Sequence, residues 1–170
     1  MTEELDVLTI TSTRGPDDEP VCGLQWHGES WHAPVEDVRE TALDLVTCAA
    51  YAEMMMQLRK DLKLPPGTVS AFMTELLASQ GRRRFGCPTT IDLRPAGDSR
   101  KNAPVVLLMR RQTGRQGLVD CAEARKMALR WLTAAEGTES EQLITEAMRG
   151  AAISPAATEK VFGYLRELRR

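Results

Sequence analysis

No apolar run in this 170-residue chain approaches the ~18 residues that a membrane-crossing helix needs, so no helical span is expected. Histidine is nearly absent: His27 and His32 are the only two. With Cys22 they form C-x4-H-x4-H, a spacing wider than zinc sites use and one that lacks a fourth ligand unless Cys48 folds close. The four cysteines, Cys22, Cys48, Cys87 and Cys121, contain no C-x-x-C pair and read as reduced thiols of a cytoplasmic protein. There is no G-x-S-x-G, no phosphate-binding P-loop and no H-E-x-x-H. Gly15, Gly23 and Gly28 are too irregularly spaced to cradle a phosphate. Internal repeats and low-complexity tracts are also missing. These absences predict a protein with no catalytic residues, no cofactor and no metal. The opening Met1-Thr2-Glu3-Glu4-Leu5-Asp6 is acidic, unlike a secretory leader.

What is present is an ordinary globular composition, 42% hydrophobic, in a chain long enough to bury a core. Its organising stretch runs from Pro34 to Leu64. Pro34 suits a helix start because its missing N–H would be unpaired there, and Glu36 and Asp37 favour the positive end of the helix dipole. Val35, Val38, Ala42, Leu45, Ala49, Ala52 and Met56 form an apolar stripe at helical spacing. A second stripe, Leu43, Val46, Ala50, Met54, Leu58 and Leu62, lies beside it. Two stripes predict a core helix with partners on two sides, and a dimer seam is the alternative. Pro65 and Pro66 end it.

Before this helix, Leu5–Thr13, Val21–Trp26 and Trp31–Ala33 read as an antiparallel meander, with Trp26 and Trp31 as a candidate cross-strand pair and Cys22 and Trp26 sharing the core face. After it come a helix over Thr68–Ser79, with Val69, Phe72, Met73, Leu76 and Leu77 inward, and strands over Thr89–Arg94 and Pro104–Arg111 around a polar loop at 95–102. A breaker at Gly114–Gly117 precedes helices over Val119–Ala135, Ser140–Arg149 and Pro155–Arg169. The fold class is therefore α+β. Residues 1–117 would make the core domain, and 118–170 a helical segment that packs on it or mediates homodimerisation.

The net charge of −2 conceals an uneven distribution. Residues 1–34 hold seven acids and one base, whereas residues 81–117 hold nine bases and two acids. Such asymmetry points to a polyanionic partner. It could equally serve an acidic protein surface, or be neutralised by the chain's own acidic N-terminal third. Arginine outnumbers lysine by 17 to 5, a bias associated with GC-rich, for instance actinobacterial, genomes. The strand, turn, Trp and Pro-led helix over residues 20–55 are similar to small uncharacterised actinobacterial proteins, a likeness that implies no activity.

Gln57–Gly81 reads as a helix end, a short turn and a second amphipathic helix, with a basic hairpin behind it over 82–111. In that order, residues 50–111 resemble winged helix-turn-helix DNA-binding proteins. The resemblance implies a recognition helix from Thr68, with Thr68 and Ser70 near bases. It also implies phosphate contacts from Arg82, Arg83, Arg84, Arg100, Lys101, Arg110 and Arg111. The expected function is thus a small nucleic-acid-binding protein, such as a transcriptional regulator. The alternative is a protein-interaction module, an adaptor, inhibitor or structural component of an actinobacterial phage or mobile element.

Overall fold

A computed structural model describes residues 8–79, 81 and 85–168. The chain is α+β, and its described residues form two antiparallel sheets and four helices. Strands β1 (Thr9–Arg14), β2 (Pro20–Trp26) and β3 (Glu29–Ala33) form the predicted meander in that order. His27 and Gly28 close the β2–β3 hairpin, both at positive φ (49° and 77°), as the twist of a two-residue hairpin demands. Alternation puts Cys22, Leu24 and Trp26 into the core. The two tryptophans take separate neighbours because the register sets Trp26 opposite Glu29 and Trp31 opposite Leu24. Trp26 lies on Gly117, where a β-carbon would come within 2.9 Å of its ring.

Helix α1 (Val35–Leu62) follows at once and ends on Lys63 in the left-handed conformation. The first predicted stripe is the buried one: Val35, Val38, Ala42, Leu45, Ala49 and Ala52. The second stripe is not core. Leu43, Val46, Ala50, Met54 and Leu62 are exposed, and the second buried side of α1 is instead the polar row Thr41, Asp44 and Cys48. Hydrogen bonds make that burial affordable. Thr41 Oγ1 lies 2.6 Å from Thr90 Oγ1, and the Gly86 N–H donates to Asp44 Oδ2 at 2.8 Å.

Helix α2 (Pro66–Ser79) runs off the end of α1, buries Val69 and Met73, and leaves Phe72 in solvent rather than inward. The second sheet has four strands rather than a two-stranded hairpin: β4 (Phe85–Gly86), β5 (Asp92–Asp98), β6 (Ala103–Arg110) and β7 (Arg115–Asp120), in that order. The expected loop at 95–102 shrinks to residues 99–102, because β5 continues through Pro95 to Asp98 opposite β6. Pro95 is tolerated there because, among the described residues, β4 covers only Asp92 and Leu93 and leaves the rest of β5 as an edge. Residues 115–120, expected as a breaker and a helix start, form β7, which pairs with β6 from Arg110 to Val105. Asp120 then caps the next helix by accepting the Glu123 N–H at 2.8 Å.

That helix, α3 (Cys121–Gly150), is unbroken through Gly137, where two shorter helices were expected. Tertiary contacts hold it across the weak point. Arg39 of α1 bonds Glu136 and Glu139 at 3.0 and 2.7 Å, and Thr138 is fully buried against the Cys22 thiol at 3.4 Å. Helix α3 packs antiparallel along α1, and Ala124, Ala128, Trp131 and Ala135 join the same core as the first sheet and α1. Helix α4 (Pro155–Leu168) starts behind Ser154, whose Oγ accepts the Ala157 N–H at 3.3 Å, and buries Phe162 beneath Arg14. No helix among the described residues is long and apolar enough to cross a membrane.

Candidate ligand groove beside an open sheet edge

Residues of α2 and of β5 line the two sides of one opening. The space between holds a cavity of about 800 Å³. That volume lies within the range of ligand sites, ~300–1,000 Å³. Met55 of α1, Met73 and Leu77 of α2, Phe85 of β4, Leu93 of β5 and Met109 of β6 give it an apolar lining. Three methionines make that lining adaptable, since an unbranched thioether refits to different shapes.

The polar end of the groove is built by β5 and the turn after β6. Asp92 accepts from Arg111 Nε at 2.9 Å and Nη2 at 2.6 Å. Two residues along the edge, Arg94 also lines the groove, is exposed, and has no carboxylate partner among the described residues. One wall is therefore cationic, with one charge neutralised and one available. Among the described residues, β5 beyond Leu93 pairs with β6 alone, and its other side lies next to the cavity.

The sequence-predicted nucleic-acid residues separate into four groups. Arg82, Arg83 and Arg84 lie outside the described residues. Thr68 is exposed in the first turn of α2, and Ser70 lines the groove. Arg100 and Lys101 are exposed at the β5–β6 turn, where their backbone N–H groups donate to Asp98 Oδ1 at 2.8 and 3.3 Å while their side chains carry no carboxylate partner among the described residues. Arg111 is engaged with Asp92. Arg110 faces the seam between the two sheets, its guanidinium 3.4 Å from the Trp31 ring centroid and 3.3 Å from Glu29. Its burial lowers its pKa from the ordinary arginine value. Arg115 also pairs with Glu29, at 2.9 Å. Part of the basic excess is thus matched internally by one acid of the N-terminal third. Neither the groove nor the open edge was visible in the sequence. Pro95 inside a β-prone stretch was the one available sign of an edge strand.

The chemistry-bearing residues do not converge. Cys22 is buried, whereas His32 sits across from Gly23, on the other face of the sheet. All four thiols are buried and free. Burial pushes the Cys87 thiol up to about 11 and raises Cys22, Cys48 and Cys121 as well, so none is poised as a thiolate nucleophile. Among the described residues no group of three or more His, Cys, Asp or Glu side chains is placed to hold a metal ion. Comparison with family models, with curated proteins and with solved structures finds no match to this chain.

Proposed function

We propose that the protein is a binding module that takes an extended segment of a partner protein into the groove between α2 and β5. The observation that carries this reading is the coincidence, in one place, of a methionine-rich trough with a strand edge that no described strand covers. A segment laid along β5 would gain main-chain hydrogen bonds, each worth a net ~0.5–1.5 kcal/mol, while its alternate side chains enter the trough. Arg94 supplies the selectivity: it favours a segment carrying an acidic side chain beside its apolar ones. An adaptor, inhibitor or structural component would each use such a surface. Fluorescence anisotropy with labelled peptides of alternating acidic and apolar residues tests it. Arg94→Glu and Met73→Asp should each weaken binding roughly tenfold or more, ~1.4 kcal/mol or above. Peptides that never bind, or bind both variants as tightly as the native chain, remove the reading.

A second reading, nucleic-acid binding, is favoured by a different observation. Arg94, Arg100 and Lys101 have no acidic partner among the described residues, and Arg82, Arg83 and Arg84 add three charges in the same third of the chain. In a winged-helix arrangement α2 would present Thr68 to a major groove and the β5–β6 turn would lie on phosphates. Duplex binding measured across a salt series decides it. Each phosphate contact adds ~0.9 to the slope of log affinity against log salt, so Arg100→Ala with Lys101→Ala should flatten the slope by roughly two. Absence of duplex binding at low salt leaves the peptide reading alone.

A further inference from the structure

We infer that the outer face of the α1–α3 pair is a self-association surface, and that its occupant is a second copy of this chain. The face is assembled from two stripes at helical spacing. On α1 it runs Arg39, Leu43, Val46, Ala50, Glu53; on α3 it runs Arg125, Leu129, Leu132, Glu136, Glu139. Two sets of ion pairs cross the seam between the helices and prove that both stripes look the same way. Arg39 reaches Glu136 and Glu139 at one end, at 3.0 and 2.7 Å, and Arg125 reaches Glu53 at the other, at 2.6 Å.

Between those charged ends the surface is apolar. Leu43 is 55% exposed, Val46 41% and Leu129 67%; Ala50 is exposed beside them, and Leu132 is half-buried. The ends are ~21 Å apart along each helix at 1.5 Å per residue. Two helix widths of ~10 Å each then give the whole face, charged ends included, about 400 Å². A patch of that size is as large as the largest that a monomer commonly exposes, and such patches often carry function. It is about half of the ~800 Å² per partner that a standard interface buries.

The order of the charges selects the occupant. Along α1 the stripe goes from positive to negative, and along α3, which runs the opposite way, it also goes from positive to negative. A face-to-face twofold across the helices sets Arg39 against Glu53 of the second copy, and Arg125 against its Glu136 and Glu139. A twofold parallel to the helices sets Arg39 against Glu136 and Glu139 of the second copy, and Glu53 against its Arg125. In both, each arginine meets glutamate; the first axis sets Val46 and Leu132 each against its own copy, and the second sets Val46 against Leu132 and Ala50 against Leu129. Such a patch complements itself, as an isologous interface must. A polyanion would instead meet three carboxylates. The face shares no residue with the groove beneath α2, so the two sites stand or fall separately.

The test is sedimentation equilibrium on the full chain. The native protein should weigh twice 18.9 kDa at micromolar concentration. Val46→Glu with Leu129→Glu should raise the dimer dissociation constant at least a hundredfold and give the monomer mass with an unchanged far-ultraviolet circular-dichroism spectrum, since both side chains are exposed in the single chain. Should that variant lose its fold, Leu43→Gln with Leu129→Gln, milder in size and charge, carries the same expectation. A native protein that stays monomeric at its highest soluble concentration overturns the proposal. A folded variant that remains dimeric overturns it equally, because the contact then lies elsewhere.

Discussion

One side of α1 buries Thr41, Asp44 and Cys48, while another exposes Leu43, Val46 and Ala50. A ranking by hydrophobicity would have placed them the other way round. The difference teaches that burial on this helix follows the available partner. The loop from Phe85 to Ile91 brings a backbone N–H and a threonine hydroxyl to the polar row, and paired polar groups can be buried at little net cost. Among the described residues no element of the same chain arrives over the apolar row.

The comparison breaks most visibly at Gly86, the donor to Asp44. Its φ is 78°, and a β-carbon would come within 2.0 Å of the Ile91 carbonyl oxygen. Gly86→Ala should cost about 3–4 kcal/mol or prevent folding, as strain in the left-handed region adds to displacement of the backbone that carries the polar contacts. Asp44→Ala strands the Gly86 N–H and should cost about 2 kcal/mol in urea unfolding. Measured at a concentration where the chain is monomeric, Val46→Gln, on the exposed row, should change that free energy by less than about 0.5 kcal/mol, although it removes an apolar side chain. If Val46→Gln cost more than Asp44→Ala, the assignment of the two faces would be wrong.

A smaller effect sharpens the picture through pH. The thiol of Cys87 ionises near 11 in the folded chain against an ordinary 9.0, with desolvation the main cause, and Cys22, Cys48 and Cys121 are raised for the same main reason. The unfolded chain therefore releases thiol protons at a pH where the folded chain keeps them. Their contribution to stability is whole below about pH 9 and declines as pH rises toward 11 and above. Thermal midpoints should fall across that window, and Cys48→Ala should make the fall shallower. An identical slope in the variant would show that its thiol does not titrate on unfolding.

The basic third of the chain offers the same lesson in charge. Arg110 and Arg100 are indistinguishable as letters, yet one stacks on Trp31 beside Glu29 and the other stands at a turn without a carboxylate partner among the described residues. Nothing local separates them, because the separation depends on which residue a strand register sets opposite and which sheet approaches. The strand β7 was hidden for a related reason: Gly117, a breaker by propensity, is needed where the Trp26 ring presses on the backbone. Likewise residues 136–139, expected to separate two helices, are held within α3 by Thr138 and Arg39 through contacts distant in sequence.

By itself the sequence determined what is local and periodic: the meander and its His27-Gly28 turn, the α1 stripe from Val35 to Ala52, the Asp44-bearing helix it belongs to, and the cap at Ser154. Backbone sterics, capping and helical spacing act within a few residues, so they can be read from adjacent letters. Only the tertiary structure decided which apolar row of α1 was covered, which arginines kept their charge free, and that α2 would stand away from β5 to leave a groove. Those outcomes depend on partners more than forty residues away, such as Gly86 for Asp44 and Glu29 for Arg110. A hydrogen bond or ion pair between them exists only once the fold has brought both ends together.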